Sequence, residues 1–578
     1  MSRWNKDVPV GNRFVMELPL LYTDGQRTRL DTIFRIANNI ENLLIGWYKN
    51  RLNEMTRTRK WRNNQKSMYD LHNEYDSDLA ALQKLHRSIS ARTTAAKKRG
   101  ETLELSNKDK KRLDRLEQRA ADFQKKYNPL IAVRNEMINA YGFNLSRFEQ
   151  KEAIYRKCYD TLVGADIGQK IATKVWAMFE AYLFKRGKKI SFSKNEDFLS
   201  IEGKTNRSGI RFDRDSMTVA LGKKSNAMVL KVKLNKKDPY AYERIAIRKD
   251  VSFCRIIRKA YPEGWRYFLQ LTLKGEPPIK VDRDTGEVLH SMGRGRVGLD
   301  IGPRTLAYCA DTAVSLVELA QGLQNMENEL RRVNRAMDRS RKATNPKMFK
   351  PDGTVVRINN LPPECLNRRG KRRWFSSGRY WRLAMRRRAL YRKQAALRKH
   401  LHRRLANLLL PLGDKFFVED MRWRALARRS KKTRKNKKGK TLSKKRYGKS
   451  IANKTPGLFL SVLEKKVLRY GGSFNRIITW EAKASQFDHM TGKYKPKKLS
   501  QRWHIFEDGT KVQRDLYSAF LIKNTKRDLK TFNDKVCKKE FPAFLAMHNK
   551  VIKALQEEEA TLPSSMGIKK SSPTKRAA

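Results

Sequence analysis

The chain has 578 residues, with 129 Lys and Arg against 58 Asp and Glu, a net charge of +71 at neutral pH, and 39% hydrophobic content. At roughly 100–200 residues per domain, there is chain enough for three or four domains, each with a core. So basic a chain repels itself unless a polyanion neutralises it, and nucleic acid is the expected partner.

The first residues, MSRWNKDVPV, lack the apolar core of a signal peptide. The longest apolar stretches, such as Leu405–Leu412, fall well short of the ~20 residues of a membrane span. Cys158, Cys254, Cys309, Cys365 and Cys537 are too scattered for a local disulfide framework or a C-x-x-C zinc ribbon. A reducing, cytoplasmic setting without a membrane is expected.

In chain order, Phe14–Leu21 alternates like a strand. From Leu30 the period lengthens: Ile33, Ile36, Ile40, Leu43, Leu44 and Trp47 recur at helical spacing, and helical patterns continue to about Phe184. Around residue 186 the texture becomes β-like. Lys189–Phe192, Ile210–Phe212, Met217–Leu221, Met228–Val232 and Tyr267–Leu273 are short strands between turn residues, as in a small barrel. Lys280–Arg296 reads as a linker. Beyond it come strands at Val297–Ile301 and Thr305–Ala310, a basic helical region over Arg373–Leu410, and a strand at Lys415–Val418. A helix over Leu458–Leu468, a strand over Ser473–Trp480 and a helix from Leu516 follow, which makes an α/β domain. The Ser/Lys/Pro-rich tail after Glu559 reads as disordered.

The charge is concentrated. Residues 367–449 hold 32 lysines and arginines against three acids. Interleaved Trp374, Phe375, Tyr380, Trp381, Tyr391 and Trp423 make a merely solvated face a poor explanation, because Arg with aromatics suits phosphate contact and base stacking. Arg372, Arg373, Trp374, Arg428 and Arg429 are the candidate nucleic-acid contacts. Lys431–Lys449 lacks an apolar period and reads as a loop that orders on nucleic acid.

Three acids stand out against this background. Asp300 lies near the end of an apolar strand, Glu419 ends Lys415-Phe-Phe-Val-Glu, and Asp515 opens a helix. Singly, each has a plain explanation: a turn entry for Asp300, an ion pair for Glu419, a helix cap or dipole partner for Asp515. Together their order is informative. In a ribonuclease-H-like fold these positions converge at one end of the sheet. Clustered carboxylates need cations, and oxygen ligands suit two Mg²⁺ or Mn²⁺ ions able to promote phosphodiester hydrolysis. Val297–Gly302 also resembles the first phosphate loop of actin/hexokinase-type ATPases. That group places Thr or Ser where this chain has Pro303, and needs a second Gly-rich loop after an Asp, which Gly471-Gly472 lacks.

These residues resemble the RuvC nuclease domain of the TnpB transposon-associated nucleases and the compact type V CRISPR effectors. Val297–Gly302 resembles the first RuvC motif, Phe416–Met421 after the basic helix the second, and Arg514–Ile522 the third. The resemblance implies a multidomain α+β protein with a helical recognition lobe, a small wedge β-barrel and an RNase-H-like α/β RuvC nuclease domain. Residues 1–29 would supply N-terminal strands of the wedge, 30–185 the recognition lobe, and 186–290 the rest of the wedge barrel. RuvC would span 291–480, a target-nucleic-acid-binding insertion 481–512, the third motif 513–535, and a C-terminal helix and tail 536–578.

The implied function is RNA-guided DNA cleavage. A guide RNA pairs with target DNA beside a short flanking motif, Asp300, Glu419 and Asp515 ligate the metal, and Arg514 contacts the scissile phosphate. The alternatives are an RNA-guided DNA binder with little cleavage, a transposon-encoded TnpB nuclease and a guide-independent structure-specific nuclease. The length of the helical lobe favours a CRISPR effector over TnpB. The chain departs from the group in having no cysteine in 481–512, so no structural zinc is expected. His489 and His504 read as surface or packing residues. Trp480, Phe487, Tyr494, Trp503 and Phe506 form either a small apolar core or a base-stacking surface.

Overall fold

The computed structural model describes residues 12–569 apart from 98–101, 160–161, 185, 188, 223–226, 236, 324–325, 369, 429–433, 436–440, 443–446, 499 and 558–561. Two compact units result: residues 1–259 with 266–278, and residues 260–265 with 279–578. Among the described residues no helix is long and apolar enough to cross a membrane.

In the first unit, β1 (Arg13–Leu21) alternates exposed and buried residues along its whole length, as a strand with one face on a core must. A capping box then starts α1 (Asp24–Arg57). The Thr23 hydroxyl accepts from the Gln26 amide, and the Gln26 side chain accepts from the Thr23 N–H. Helices α2 (Arg59–Lys97), α3 (Asn107–Ala140), α4 (Leu145–Lys157) and α5 (Ala165–Leu183) follow. Tyr48 of α1 stacks on Phe148 of α4 at 3.4 Å, with Phe179 of α5 edge-on to it.

The remaining strands are β2 (Ser200–Glu202), β3 (Ile210–Asp213), β4 (Thr218–Leu221), β5 (Met228–Val232), β6 (Val251–Tyr261) and β7 (Gly264–Lys274), with a short α6 (Tyr242–Ala246) before β6. They join β1 in a seven-stranded sheet of order β2-β6-β7-β1-β5-β4-β3. β1 is central although Pro19 has no N–H to donate. It pairs with β7 up to Pro19 and with β5 from Leu20, so the proline stands where the partner changes. The edge strands meet at Gly203, where a Cβ would lie 3.3 Å from that of Ile210, so the sheet is a nearly closed barrel.

Two sequence expectations differ here. Lys189–Phe192 is not a strand: the next residue, Ser193, donates its N–H to Asn42 Oδ1 of α1 and accepts at its C=O from Asn42 Nδ2, rather than pairing with a neighbouring strand. β6 escaped the apolar pattern because a cation occupies one of its core positions. Arg258 is buried, donates from Nε to the Phe198 carbonyl at 3.0 Å and lies over the Phe34 ring.

The second unit is built on a mixed sheet. β8 (Arg296–Ile301), β9 (Thr305–Cys309) and β10 (Val314–Glu318) form an antiparallel meander. After α7 (Glu327–Thr344) and α8 (Gly378–Leu409), β11 (Lys415–Glu419) returns parallel to β8. Then come α9 (Trp423–Ala427), the strand pair β12 (Arg434–Lys435) and β13 (Thr441–Leu442), α10 (Gly448–Lys454) and α11 (Pro456–Arg469). β14 (Ser473–Ile477) lies parallel to β11, and the sheet order is β10-β9-β8-β11-β14. The chain closes with α12 (Thr479–Ala482), a hairpin of β15 (Trp503–Ile505) and β16 (Lys511–Gln513), α13 (Arg514–Lys523) and α14 (Asp534–Glu557).

The period of two in the strands sorts side chains between two cores. Val297, Leu299, Ile301, Phe416 and Val418 pack with Leu409 of α8 and Phe459 and Leu463 of α11. Ala307, Cys309 and Phe417 face the other way, towards Leu516, Tyr517 and Phe520 of α13 and Phe544 of α14.

The strand expected over Ser473–Trp480 ends at Ile477, and Trp480 stands exposed on α12. Most of the expected loop Lys431–Lys449 and the residues after 569 lie outside the described residues. The tail expected to be disordered differs over 562–569. Met566 is buried and Leu562 and Ile568 pack on the α13 core, because this segment's apolar residues complete that core.

Candidate active site

The alternation that sorts the cores also places the acids. Leu299 of β8 pairs in register with Val418 of β11, both facing α8 and α11. Asp300 and Glu419 follow them on neighbouring parallel strands and share the opposite face, towards α13. α13 lies against β8 with no side chain between them: a Cβ at Gly298 would stand 2.1 Å from the Ala519 carbonyl oxygen and 2.3 Å from the Lys523 nitrogen. Asp515, one turn before Ala519, is thereby carried to the sheet end where Asp300 and Glu419 stand.

The start of α13 is fixed by its neighbours. Gln513 is the N-cap, its side-chain oxygen accepting from Leu516 N–H at 2.8 Å, while its Nε2 donates to the Met566 carbonyl at 3.0 Å. Gln513 N–H donates to His548 Nε2 of α14 at 2.8 Å. Asp515 therefore stands inside the helix and is not its cap. At the other end Lys523 Nζ lies 2.5 Å from Asp311 and 2.9 Å from Glu540.

The three carboxylates feel one another. Burial, then the charges of Asp515 and Glu419, raise the Asp300 pKa well above its ordinary value, with Arg514 and the Ser518 hydroxyl opposing. Burial, then Asp515, push Glu419 up to about 7. The cation beside them is Arg514, itself buried, with Nε 3.6 Å from Asp515 Oδ1. Ser518, one turn beyond Asp515, faces Asp300, and the sequence reading did not include it. Asp420, the neighbouring acid, is exposed.

Three half-buried carboxylates that repel one another are a donor set for hard cations. Among the described residues, however, no three His, Cys, Asp or Glu side chains converge closely enough to enclose an ion. The donor chemistry fits a divalent metal, while the side chains stand more open than a bound ion requires.

The other candidates are placed elsewhere. Arg372 donates to the Val356 carbonyl at 2.6 Å and Arg373 lies over Phe375. Trp374 is exposed near Arg341 and Phe349, and Arg428 is exposed at the end of α9. Arg429 lies outside the described residues.

His489 and His504 are fully buried, so they are packing rather than surface residues. His489 Nδ1 lies 2.8 Å from the Tyr517 hydroxyl, and His504 stacks on the Tyr517 ring with Nε2 3.4 Å from Asp488. Phe487 and Phe506 are buried in the same core with Trp503 against it, while Trp480 and Tyr494 are exposed.

No protein-family model matches the chain, and no curated protein matches it. Among solved structures it is similar to a Cas12f1–sgRNA–target DNA complex determined by cryo-EM, with 12% identity and a TM-score of 0.37 over 89% of this chain and 99% of that one. It is likewise similar to a CRISPR-Cas12f ternary complex, with 11% identity and a TM-score of 0.22 over the same shares.

Proposed function

We propose that the chain is a guide-RNA-dependent DNA endonuclease with a single RuvC-type site, in which Asp300, Glu419 and Asp515 hold two Mg²⁺ or Mn²⁺ ions. One observation carries the reading. In a chain of net charge +71, Asp300 and Glu419 share one face and one end of a sheet, the helix α13 carries Asp515 to the same end, and the charge of Asp515 helps raise the pKa of the other two. Arg514 is the cation beside the three acids, and the repulsion it leaves at Asp300 and Glu419 is what bound cations relieve. The order β10-β9-β8-β11-β14, antiparallel then parallel, supports the ribonuclease-H-like assignment. Guidance by RNA and the flanking motif on target DNA rest on the motif resemblance and the charge.

Bound ions would supply an activated water and charge stabilisation of the leaving 3′-oxygen. The protein's own groups do the rest. Asp300, with its raised pKa, and Glu419, pushed up to about 7, would hold the cations as carboxylates, their ionised forms favoured by the bound charge. Arg514, held against Asp515, balances negative charge growing on the phosphate.

Full-length protein reconstituted with the RNA of its own locus should cut matched DNA in Mg²⁺. Asp300→Ala should lower the rate by more than the roughly 10–100-fold typical of losing an outer-shell partner. Wild-type cleavage by this variant would refute the assignment. The openness of the carboxylates favours a second reading, guided binding without cutting. It predicts tight target binding and no product in Mg²⁺ or Mn²⁺.

A further inference from the structure

α13 runs antiparallel along β8, and three positions of the strand meet the helix in turn. Arg296, Gly298 and Asp300 alternate onto the face towards α13. Arg296 reaches the Lys523 carbonyl, Gly298 lies against Ala519 and Lys523, and Asp300 meets the Ser518 hydroxyl. The two lengths agree. From Arg296 to Asp300 the strand advances about 13 Å, and from Lys523 back to Asp515 the helix advances about 12 Å. A bond at the Arg296 end therefore sets which helix residue stands beside Asp300 at the other.

That bond is two-pronged. Arg296 Nε donates to the Lys523 carbonyl at 2.7 Å, and Nη2 donates to the Thr525 carbonyl at 2.6 Å. Lys523 and Thr525 are buried, and the last carbonyls of a helix have no partner within it. The guanidinium also lies 4.0 Å over the Phe417 ring of β11, which holds it against the sheet. Because the fork is planar, its two bonds fix direction as well as distance. A helix that slid by one residue would move about 1.5 Å and turn about 100°. Either motion breaks the fork.

The other anchors of α13 lead elsewhere. Gln513 bonds His548 of α14 and the Met566 carbonyl, and Arg514 N–H donates to the Arg502 carbonyl. Lys523 Nζ bonds Asp311, between β9 and β10, and Glu540 of α14. None of these partners lies on β8 or β11, the strands of Asp300 and Glu419. Arg296 ties the helix to both strands. We propose that Arg296 is a positioning residue, which sets the register of α13 on β8 and so keeps Asp515 beside Asp300 for a shared divalent cation. The register rests on the fold alone; the cation rests on the nuclease reading above.

The test compares full-length, nucleic-acid-free wild type with Arg296→Met, Arg296→Lys and Val467→Ala. Arg296→Lys keeps the charge and loses the fork. Val467 packs in the core on the opposite face of the sheet, so its truncation loosens the domain without touching the register. Mn²⁺ binding, followed by the electron paramagnetic resonance of the free ion below every unfolding midpoint, needs no cleavage. Both Arg296 variants should bind about tenfold more weakly than wild type, the lower end of what losing an outer-shell partner costs. Val467→Ala should bind as wild type does. In cleavage, the Mg²⁺ concentration for half-maximal rate should rise by the same factor, with the rate at saturation within a few-fold. Hydrogen exchange in EDTA should quicken in α13 beyond the rest of the second unit in the Arg296 variants, and evenly in Val467→Ala.

Wild-type Mn²⁺ affinity in both Arg296 variants, or an equal loss in Val467→Ala, would overturn the positioning role and leave the nuclease reading intact. Wild-type affinity in Arg296→Lys alone would overturn the role of the fork, since charge would then suffice. No Mn²⁺ binding by any of the proteins, with exchange still raised selectively in α13, would remove the nuclease reading and leave the register standing. Exchange in the Arg296 variants as even as in Val467→Ala would overturn the register itself.

Discussion

At the scale of the residue, Glu419 and Asp420 separate function from neighbourhood. They are adjacent acids at the end of one strand, and sequence alone does not distinguish them. The pleat does: Glu419 faces α13 and has its pKa pushed to about 7, whereas Asp420 is exposed. Glu419→Gln should abolish cleavage, while Asp420→Asn should leave it within a few-fold. The same substitution should stabilise the metal-free protein. The folded pKa of Glu419 lies above its unfolded value, so holding its charge costs nothing below about pH 4.5, an increasing amount up to 7, and the full penalty beyond. In EDTA at pH 8 the Gln variant should gain on the order of 1–3 kcal/mol in urea unfolding, and that gain should vanish at pH 4. Lost stability at pH 8 would mean the carboxylate is satisfied by a partner. The three acids were legible because strand ends and a helix start are recoverable from apolar period. Ser518 and Gln513 were not, because their roles follow from which side of a helix meets which strand.

At the scale of the element, the site depends on how closely α13 approaches β8. Gly298 is the hinge of that approach, with the Ala519 carbonyl and the Lys523 nitrogen where its Cβ would be. Gly298→Ala must push the helix off the sheet, at a cost of at least roughly 1–3 kcal/mol, and carry Asp515 away from Asp300. Unfolding free energy and cleavage should fall together. Gly378→Ala is the control: nothing lies within 4 Å of that position at the start of α8, and both quantities should hold. Wild-type stability in Gly298→Ala would show that the helix does not pack as closely as described. Elements of this kind were readable where one face is apolar and the other polar, as in β1 and α1. Reading failed where tertiary contacts replaced the local pattern: at Ser193, whose backbone bonds an asparagine side chain; at β6, with its buried Arg258; and at 562–569, whose apolar residues are too few to announce a docked segment.

At the scale of the whole molecule, acid should act on the second unit through its buried histidines. His489 and His504 have pKa values lowered to about 4, chiefly by burial; Lys497 lowers His504 further and Lys538 lowers His489, while Asp488 pulls both upward and Asp534 does so for His489. Both rings are neutral in the folded state near neutrality and take up protons on unfolding below about 6.5. The stability they permit is complete above pH 6.5 and is lost as pH falls towards about 4, on the order of 3 kcal/mol for each ring. Asp300 and Glu419 act in the opposite sense, since protonation relieves their repulsion, so the histidine contribution must be isolated by substitution. His489→Phe suits this, because the ring already lies among Phe506, Phe520 and Phe541. Urea unfolding from pH 7 to 4.5 should show wild type losing stability more steeply than the variant, by the slope of about one proton, up to ~1.4 kcal/mol per pH unit. Parallel profiles would show that His489 titrates normally and that the core around Tyr517 admits water.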